Sequence, residues 1–192
     1  MKTTQPIRNK EETKKLAMYF QKLKQPRNHV LICFGLHTAL RISDILNIRW
    51  GDVYDFMRGG FRQEMNLTEK KTDKQKIIAL NKNITKALKH YASCIAIEPN
   101  RFLIENPRTK QAICREQAYR IIKVAGEALD FKDNISCHSL RKTFGYHAWK
   151  SGVSLAVIME IYNHSSIEIT KRYLGVTQDE VNDVYLNLKL YD

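Results

Sequence analysis

FRQEMNLTEKKTDKQKIIAL, residues 61–80, decides the fold class, because its apolar side chains fall into a period of two while the flanking sequence keeps a period near 3.6. Phe61, Met65 and Leu67 alternate with polar residues, and QKIIAL (75–80) follows the charged turn EKKTDK (69–74). Two such runs joined by a polar turn read as an antiparallel hairpin. A third strand is expected from Trp50 to Phe56.

Outward from the hairpin the pattern is helical. Leu16, Tyr19 or Phe20, and Leu23 mark a first helix from Glu11, ending before Pro26. His29 to Leu36 is apolar nearly all round and reads as a buried central helix. A third helix runs from about Ile42 to Ile48. Beyond the hairpin, Ile84, Leu88, Tyr91 and Ile95 share one face, as do Ala118, Ile121, Ala125 and Leu129, with RFLIENPR (101–108) an extended connector between them. Four more helices are expected over 138–150, 155–162, 166–174 and 178–190. Ser165 with Glu168, and Thr177 with Glu180, have capping-box spacing at two of these starts. The class is therefore α+β, mostly α-helical, with one small antiparallel sheet. No interdomain linker stands out, so residues 1–9 read as a frayed lead-in and residues 10–192 as one domain.

Composition narrows the function classes. With 43% hydrophobic and 9% aromatic residues, 192 residues fill a core without staples. Cys33, Cys94, Cys114 and Cys137 are widely spaced among apolar neighbours and read as small buried hydrophobes, which argues against disulfides and against a zinc site. MKTTQPIRNKEETKK lacks the apolar core of a signal peptide, and no window approaches a membrane span. A soluble, cytoplasmic protein is expected. Thirty-two Lys and Arg against twenty Asp and Glu give +12, an excess that points to a polyanion such as nucleic acid, unless the lysines merely solvate helix faces.

Several residues can carry chemistry on a phosphate. His138 and Arg141 lie three apart at a helix start, where free N–H groups and the helix dipole add to the guanidinium fork. Arg41, between an apolar helix and an amphipathic one, is either paired to a carboxylate, Asp44 being the nearest, or aimed into a cleft. Lys71 lies in the hairpin turn with Lys70, Lys74 and Lys76 around it, either solvated or able to dip into a groove. His164 precedes a helix cap, and Tyr173 follows nine residues later, either as half-buried packing or as a nucleophile in a cationic setting. Opening a phosphodiester without metal needs a nucleophile, two cations on the non-bridging oxygens, and proton donors and acceptors. Tyr173, Arg41, Arg141, Lys71, His138 and His164 supply that set. The histidines are scattered and no acidic cluster accompanies them, so no metal or other cofactor is expected.

These motifs together resemble the catalytic domain of the tyrosine recombinases, the phage integrase family. TALRISDIL (38–46) with WGD (50–52) is similar to the family's first arginine box, EKKTDK to its hairpin lysine, HSLRKTF (138–144) to its H-x-L-R box, and NHSSIEITKRY (163–173) to its final histidine and tyrosine. The resemblance covers roughly residues 10–190 and implies an integrase-like catalytic core of DNA breaking-rejoining enzymes. It implies that Tyr173 forms a 3′-phosphotyrosyl bond and frees a 5′-hydroxyl, that Arg41 and Arg141 clamp the phosphate, that Lys71 protonates the leaving oxygen, that His138 assists proton transfer, and that His164 hydrogen-bonds the phosphate. Neither ATP nor metal is implied. Double-stranded DNA would be the partner, in the cytoplasm of a bacterium, encoded there or by a phage or other mobile element. A monomer when free would assemble into a synaptic tetramer on DNA.

In such a tetramer the C-terminal segment packs on a neighbour. Here that role would fall to residues 177–190, whose Val181, Val184 and Leu188 form an apolar stripe that otherwise closes the chain's own core. Asn163 stands where the family usually has glycine, and Lys142 where a histidine is common. The family's N-terminal core-binding domain is not recognisable. Type IB topoisomerase-like relaxation, or a non-catalytic DNA-binding accessory module, are the alternative functions.

Overall fold

Helix α2 (Pro26–His37) is the axis of the molecule, and every residue from Asn28 to Leu36 is buried. A helix apolar all round needs neighbours on all sides, and α1 (Lys10–Lys22), α5 (Lys82–Ala92) and α7 (Cys137–Lys150) pack against it. Gly35 makes the closest approach possible. A Cβ there would meet Leu140 Cδ1 of α7 at 2.5 Å. The structure, a computed structural model, describes residues 4–70, 73–176 and 185–188. None of the described helices is long and apolar enough to cross a membrane.

Between α2 and α5 the chain makes α3 (Ile42–Asn47), α4 (Trp50–Val53) and the strands β1 (Tyr54–Asp55), β2 (Gly60–Phe61), β3 (Glu64–Thr68) and β4 (Gln75–Ala79). The expected hairpin is β3–β4, antiparallel, with Met65 opposite Ile78 and Leu67 opposite Lys76. Met65, Leu67 and Ile78 pack on the core, so their face is the inward one. The expected strand over Trp50–Phe56 is corrected: a helical turn replaces its first half. Asp52 accepts the Arg49 N–H at 2.7 Å, which caps that turn, and Trp50 is buried against Tyr91 at a ring distance of 5.4 Å. Only Tyr54 and Asp55 remain extended, paired with Phe61 and Gly60.

The second half of the chain adds α6 (Arg115–Ala128), α8 (Leu155–Tyr162) and α9 (Ile167–Leu174). Asn163 is left-handed (φ 53°) after α8, and the next amide, His164 N–H, donates back to Met159 O at 3.0 Å. That closing loop delays the next helix by one residue. The cap of α9 is therefore Ser166, whose hydroxyl accepts from Ile169 N–H at 3.2 Å, and not Ser165. The Thr177–Glu180 box and most of the 178–190 helix lie outside the described residues. Residues 185–187 are helical, and Leu188 is exposed.

Two further expectations change. Residues 5–8 are not frayed, because Ile7 is buried, its N–H donates to Thr143 Oγ1 at 2.9 Å, and Arg8 donates to Gly175 O at 2.7 Å. Of the cysteines, Cys33 is buried and Cys137 half-buried, but Cys94 and Cys114 are exposed. Cys94 follows the end of α5, and Cys114 serves as the N-cap of α6, its sulfur accepting from Gln117 N–H at 3.4 Å.

Candidate active site

Four segments line one cleft. Ala39, left-handed at φ 55°, turns the chain from α2 into α3 and sets Arg41 at the α3 N-cap position. His138 and Arg141 project from the first turns of α7. Together with Lys70 and Arg115 they line a cavity of about 430 Å³, a volume suited to one phosphodiester and its neighbours. Burial, then Arg141 and Arg115, hold the His138 pKa below the usual imidazole value. The ring is thus neutral near pH 7 and able to exchange a proton.

Arg141 is only 3% exposed. Its guanidinium donates to Ala39 O and, at 3.2 Å, to Tyr162 O, and lies 4.6 Å from the centroid of the Tyr162 ring. A buried guanidinium with two carbonyl acceptors and an aromatic face is fixed in one orientation. Arg41 pairs with neither Asp44 nor open solvent. Its partner is Glu69, at 3.0 Å, while Asp44 Oδ1 accepts the Lys70 N–H at 3.1 Å. Of the two possibilities for Arg41, the ion pair has a different carboxylate, and the cleft is correct as well.

On the other side of Arg141 stand the last histidine and tyrosine. The Tyr173 ring sits 5.2 Å from the His164 ring and 5.3 Å from the Tyr162 ring, and Lys142 Nζ lies 5.2 Å from its centroid. His164 Nδ1 is 3.1 Å from Thr170 Oγ1, which ties the imidazole to the helix that carries Tyr173. Burial raises the Tyr173 pKa, opposed first by Arg141 and then by Arg41. Its oxygen is buried. Neither His164 nor Tyr173 lines the 430 Å³ cavity, so Arg141 is the link between its wall and the phenol. Five of the six expected residues are thus brought together. The sixth, Lys71, lies outside the described residues. Among the described residues no group of three or more His, Cys, Asp or Glu could hold a metal ion.

The chain has relatives. The sequence pattern of the phage integrase family matches residues 8–180, most of the chain. The chain belongs to the phage integrase family. It is a tyrosine recombinase, an enzyme of site-specific DNA strand exchange. A probable integrase/recombinase of Bacillus subtilis, YoeC, is 35% identical over 185 residues, 96% of this chain and 97% of the relative. The tyrosine recombinase XerD of Listeria monocytogenes is 27% identical over 158 residues, and there the match spans 77% of this chain and half of the relative's length. Two crystal structures share the fold. XerA recombinase superposes with a TM-score of 0.77 at 18% identity over 100% of this chain and 66% of that one. XerH bound to its palindromic difH substrate gives 0.74 at 18% identity over 97% of this chain and 55% of that one.

Sequence reasoning missed three residues of the recombinase site. Lys76 falls in period two with Ile78 and Leu80, so it faces inward, and an inward lysine requires a carboxylate. Glu69, wholly buried, is that carboxylate, at 2.9 Å. The clue was available in the register of the hairpin. Arg115, by contrast, reaches the cavity from the start of α6, and no local pattern announces a surface arginine as a wall of a distant cleft.

Proposed function

We propose that the chain cleaves and rejoins duplex DNA through a phosphotyrosyl link to Tyr173, with Arg41 and Arg141 on the non-bridging oxygens of the scissile phosphate. The Tyr173 oxygen bonds to phosphorus, the bond from phosphorus to the 5′-oxygen breaks, and the phenolic proton passes to a neighbouring base. His138 serves that proton transfer, His164 hydrogen-bonds the phosphate, and Lys71 gives a proton to the departing 5′-oxygen. The new phosphodiester keeps the energy of the old one, so a 5′-hydroxyl from a partner strand reverses the step without a nucleotide.

The observation that supports this most is the double position of Arg141, at once a wall of the cavity and the strongest cation acting on the Tyr173 hydroxyl. A phenol whose pKa is raised by burial is inert in the free protein. A phosphate brought against Arg41 and Arg141 puts phosphorus beside it and lets the cations stabilise the charge that develops. The DNA partner is supported by the +12 charge and by the solved XerH complex with its substrate. A free monomer that assembles as a synaptic tetramer, in the cytoplasm, completes the reading.

The test is a nicked suicide duplex that traps the link. Wild-type chain should form an SDS-stable protein–DNA adduct, and Tyr173→Phe should form none while its affinity changes by less than about twofold, since no phosphate-neutralising charge is lost. An adduct retained by Tyr173→Phe would assign the nucleophile elsewhere.

A further inference from the structure

One buried charge and one half-buried charge have no part in the scheme above. Glu69 is fully buried, and the Lys76 side chain is 18% exposed. Glu69 Oε2 lies 3.0 Å from Arg41 NH1 and accepts from Asn163 Nδ2 at 2.9 Å, while Oε1 lies 2.9 Å from Lys76 Nζ. Lys76 Nζ also donates to Ile161 O at 2.5 Å. One carboxylate thereby joins three segments: the α2–α3 junction that carries Arg41, the hairpin, and the α8–α9 turn in which Asn163 precedes His164.

Neutralising one buried carboxylate takes one cation, and Lys76 suffices for that. The second ion pair, to Arg41, is therefore available for geometry. A guanidinium has five N–H donors in a rigid fork, so Glu69 can hold one edge while other donors remain for the cavity that Arg41 lines. With two cations and one anion the trio keeps one positive charge, and the anchor does not cancel the charge a phosphate needs. Asn163 extends the same anchor. Its left-handed backbone leaves the side-chain amide to reach Glu69, and the next residue is His164.

We propose that Glu69 is a positioning residue for strand cleavage, holding the Arg41 guanidinium and the Asn163–His164 turn in a single arrangement, with Lys76 as its balancing charge. The assignment rests on the reading that Arg41 and His164 hold the scissile phosphate. Lys76 fits the balancing role: burial lowers its pKa first, Glu69 raises it, and Arg141 and Arg41 lower it further.

Single-turnover adduct formation and duplex affinity, measured separately, test it. Glu69→Gln should cleave about 10- to 100-fold more slowly, the scale of a misplaced catalytic group, with affinity within about threefold of wild type. Glu69→Asp should recover part of the rate. The double variant Glu69→Gln/Lys76→Met removes both charges and should stay slow. Recovery of the wild-type rate in the double variant would mean that Glu69 only balances Lys76, and would overturn the proposal. A Glu69→Gln rate within about threefold of wild type would overturn it equally. Should the Glu69 variants fail to fold, Asn163→Gly keeps the left-handed backbone and cuts the carboxylate's link to the turn, and an unchanged rate there counts against the proposal. A readout without DNA separates this inference from the reading beneath it. The Arg41 Nη–H signal of the free protein should lose exchange protection in Glu69→Gln. Lost protection in a chain that never forms an adduct would keep the anchor and discard the recombinase chemistry; unchanged protection would discard the anchor alone.

Discussion

Arg141 and Tyr162 hold each other: the guanidinium lies 4.6 Å from the phenol ring centroid, and the Tyr162 hydroxyl donates to the Arg141 carbonyl at 2.6 Å. The side chain of one residue is thus fixed by the ring of the other, and the backbone of the first receives the proton of the second. Burial pushes the Tyr162 pKa well up, which keeps this phenol a donor. Two tyrosines 5.3 Å apart therefore have opposite fates, one bonded to a backbone carbonyl and structural, the other buried beside the Arg141 guanidinium.

Tyr162→Phe keeps the ring under Arg141 and removes one buried hydrogen bond, so stability should fall by about 1 kcal/mol. Adduct formation should survive. Denaturant melts and the suicide-substrate assay read the two outcomes, and loss of the adduct in a folded Tyr162→Phe protein would contradict the division of roles.

Gly145→Ala should damage both stability and cleavage. A Cβ at that position of α7 would meet Leu174 Cδ2 at 2.7 Å and Tyr162 Cε2 at 2.8 Å, both on elements flanking the nucleophile. Overpacking of this kind costs about 1–3 kcal/mol, and relief requires α9 to move outward and carry Tyr173 with it. A lowered melting temperature with a normal adduct rate would show that Leu174 yields without its helix.

Arg41→Ala and Arg141→Ala should each slow cleavage by roughly a hundred- to a thousandfold, the usual loss for one oxyanion donor. Their stabilities should differ. Arg141→Ala strips two buried carbonyls of their donor and leaves a cavity, whereas Arg41→Ala leaves Glu69 with Lys76 and Asn163 as partners. Thermal melts of the two variants side by side check the order.

Acid should destabilise the fold. His29, His37, His138, His147 and His164 all have pKa values lowered from 6.5, with burial the first cause in each. The unfolded chain titrates near the ordinary value, so below it the unfolded state binds protons that the folded state refuses. This stability is fully present above about pH 6.5 and is lost as pH falls toward the folded values. The urea midpoint should therefore drop between pH 7.5 and 5.5, and an unchanged midpoint would contradict the shifts.

Much of the fold is legible in the chain because each element carries its own period. The buried central helix, the hairpin and the amphipathic α5 and α6 follow from spacing alone. The misread places are those where a long-range contact decides. Trp50–Phe56 alternates well enough for a strand, yet Trp50 finds Tyr91 and Asp52 finds a backbone amide, and a helical turn results. For Arg41 the local sequence offers Asp44 or a cleft, while its carboxylate partner is twenty-eight residues away. Local pattern records periodicity and says little about which buried charge meets which.

The contacts of residues 4–8 have a mechanical consequence. Lys142 holds Thr4 O at 2.7 Å and lies over the Tyr173 ring, while Arg8 grips the carbonyl of Gly175, the left-handed residue that ends α9. Residues 4–8 are in effect a tendon to the nucleophile's helix, anchored in the hydrophobic interior by Ile7. A displacement of residues 4–8 therefore loosens the carbonyl end of α9, the helix that carries the phenol.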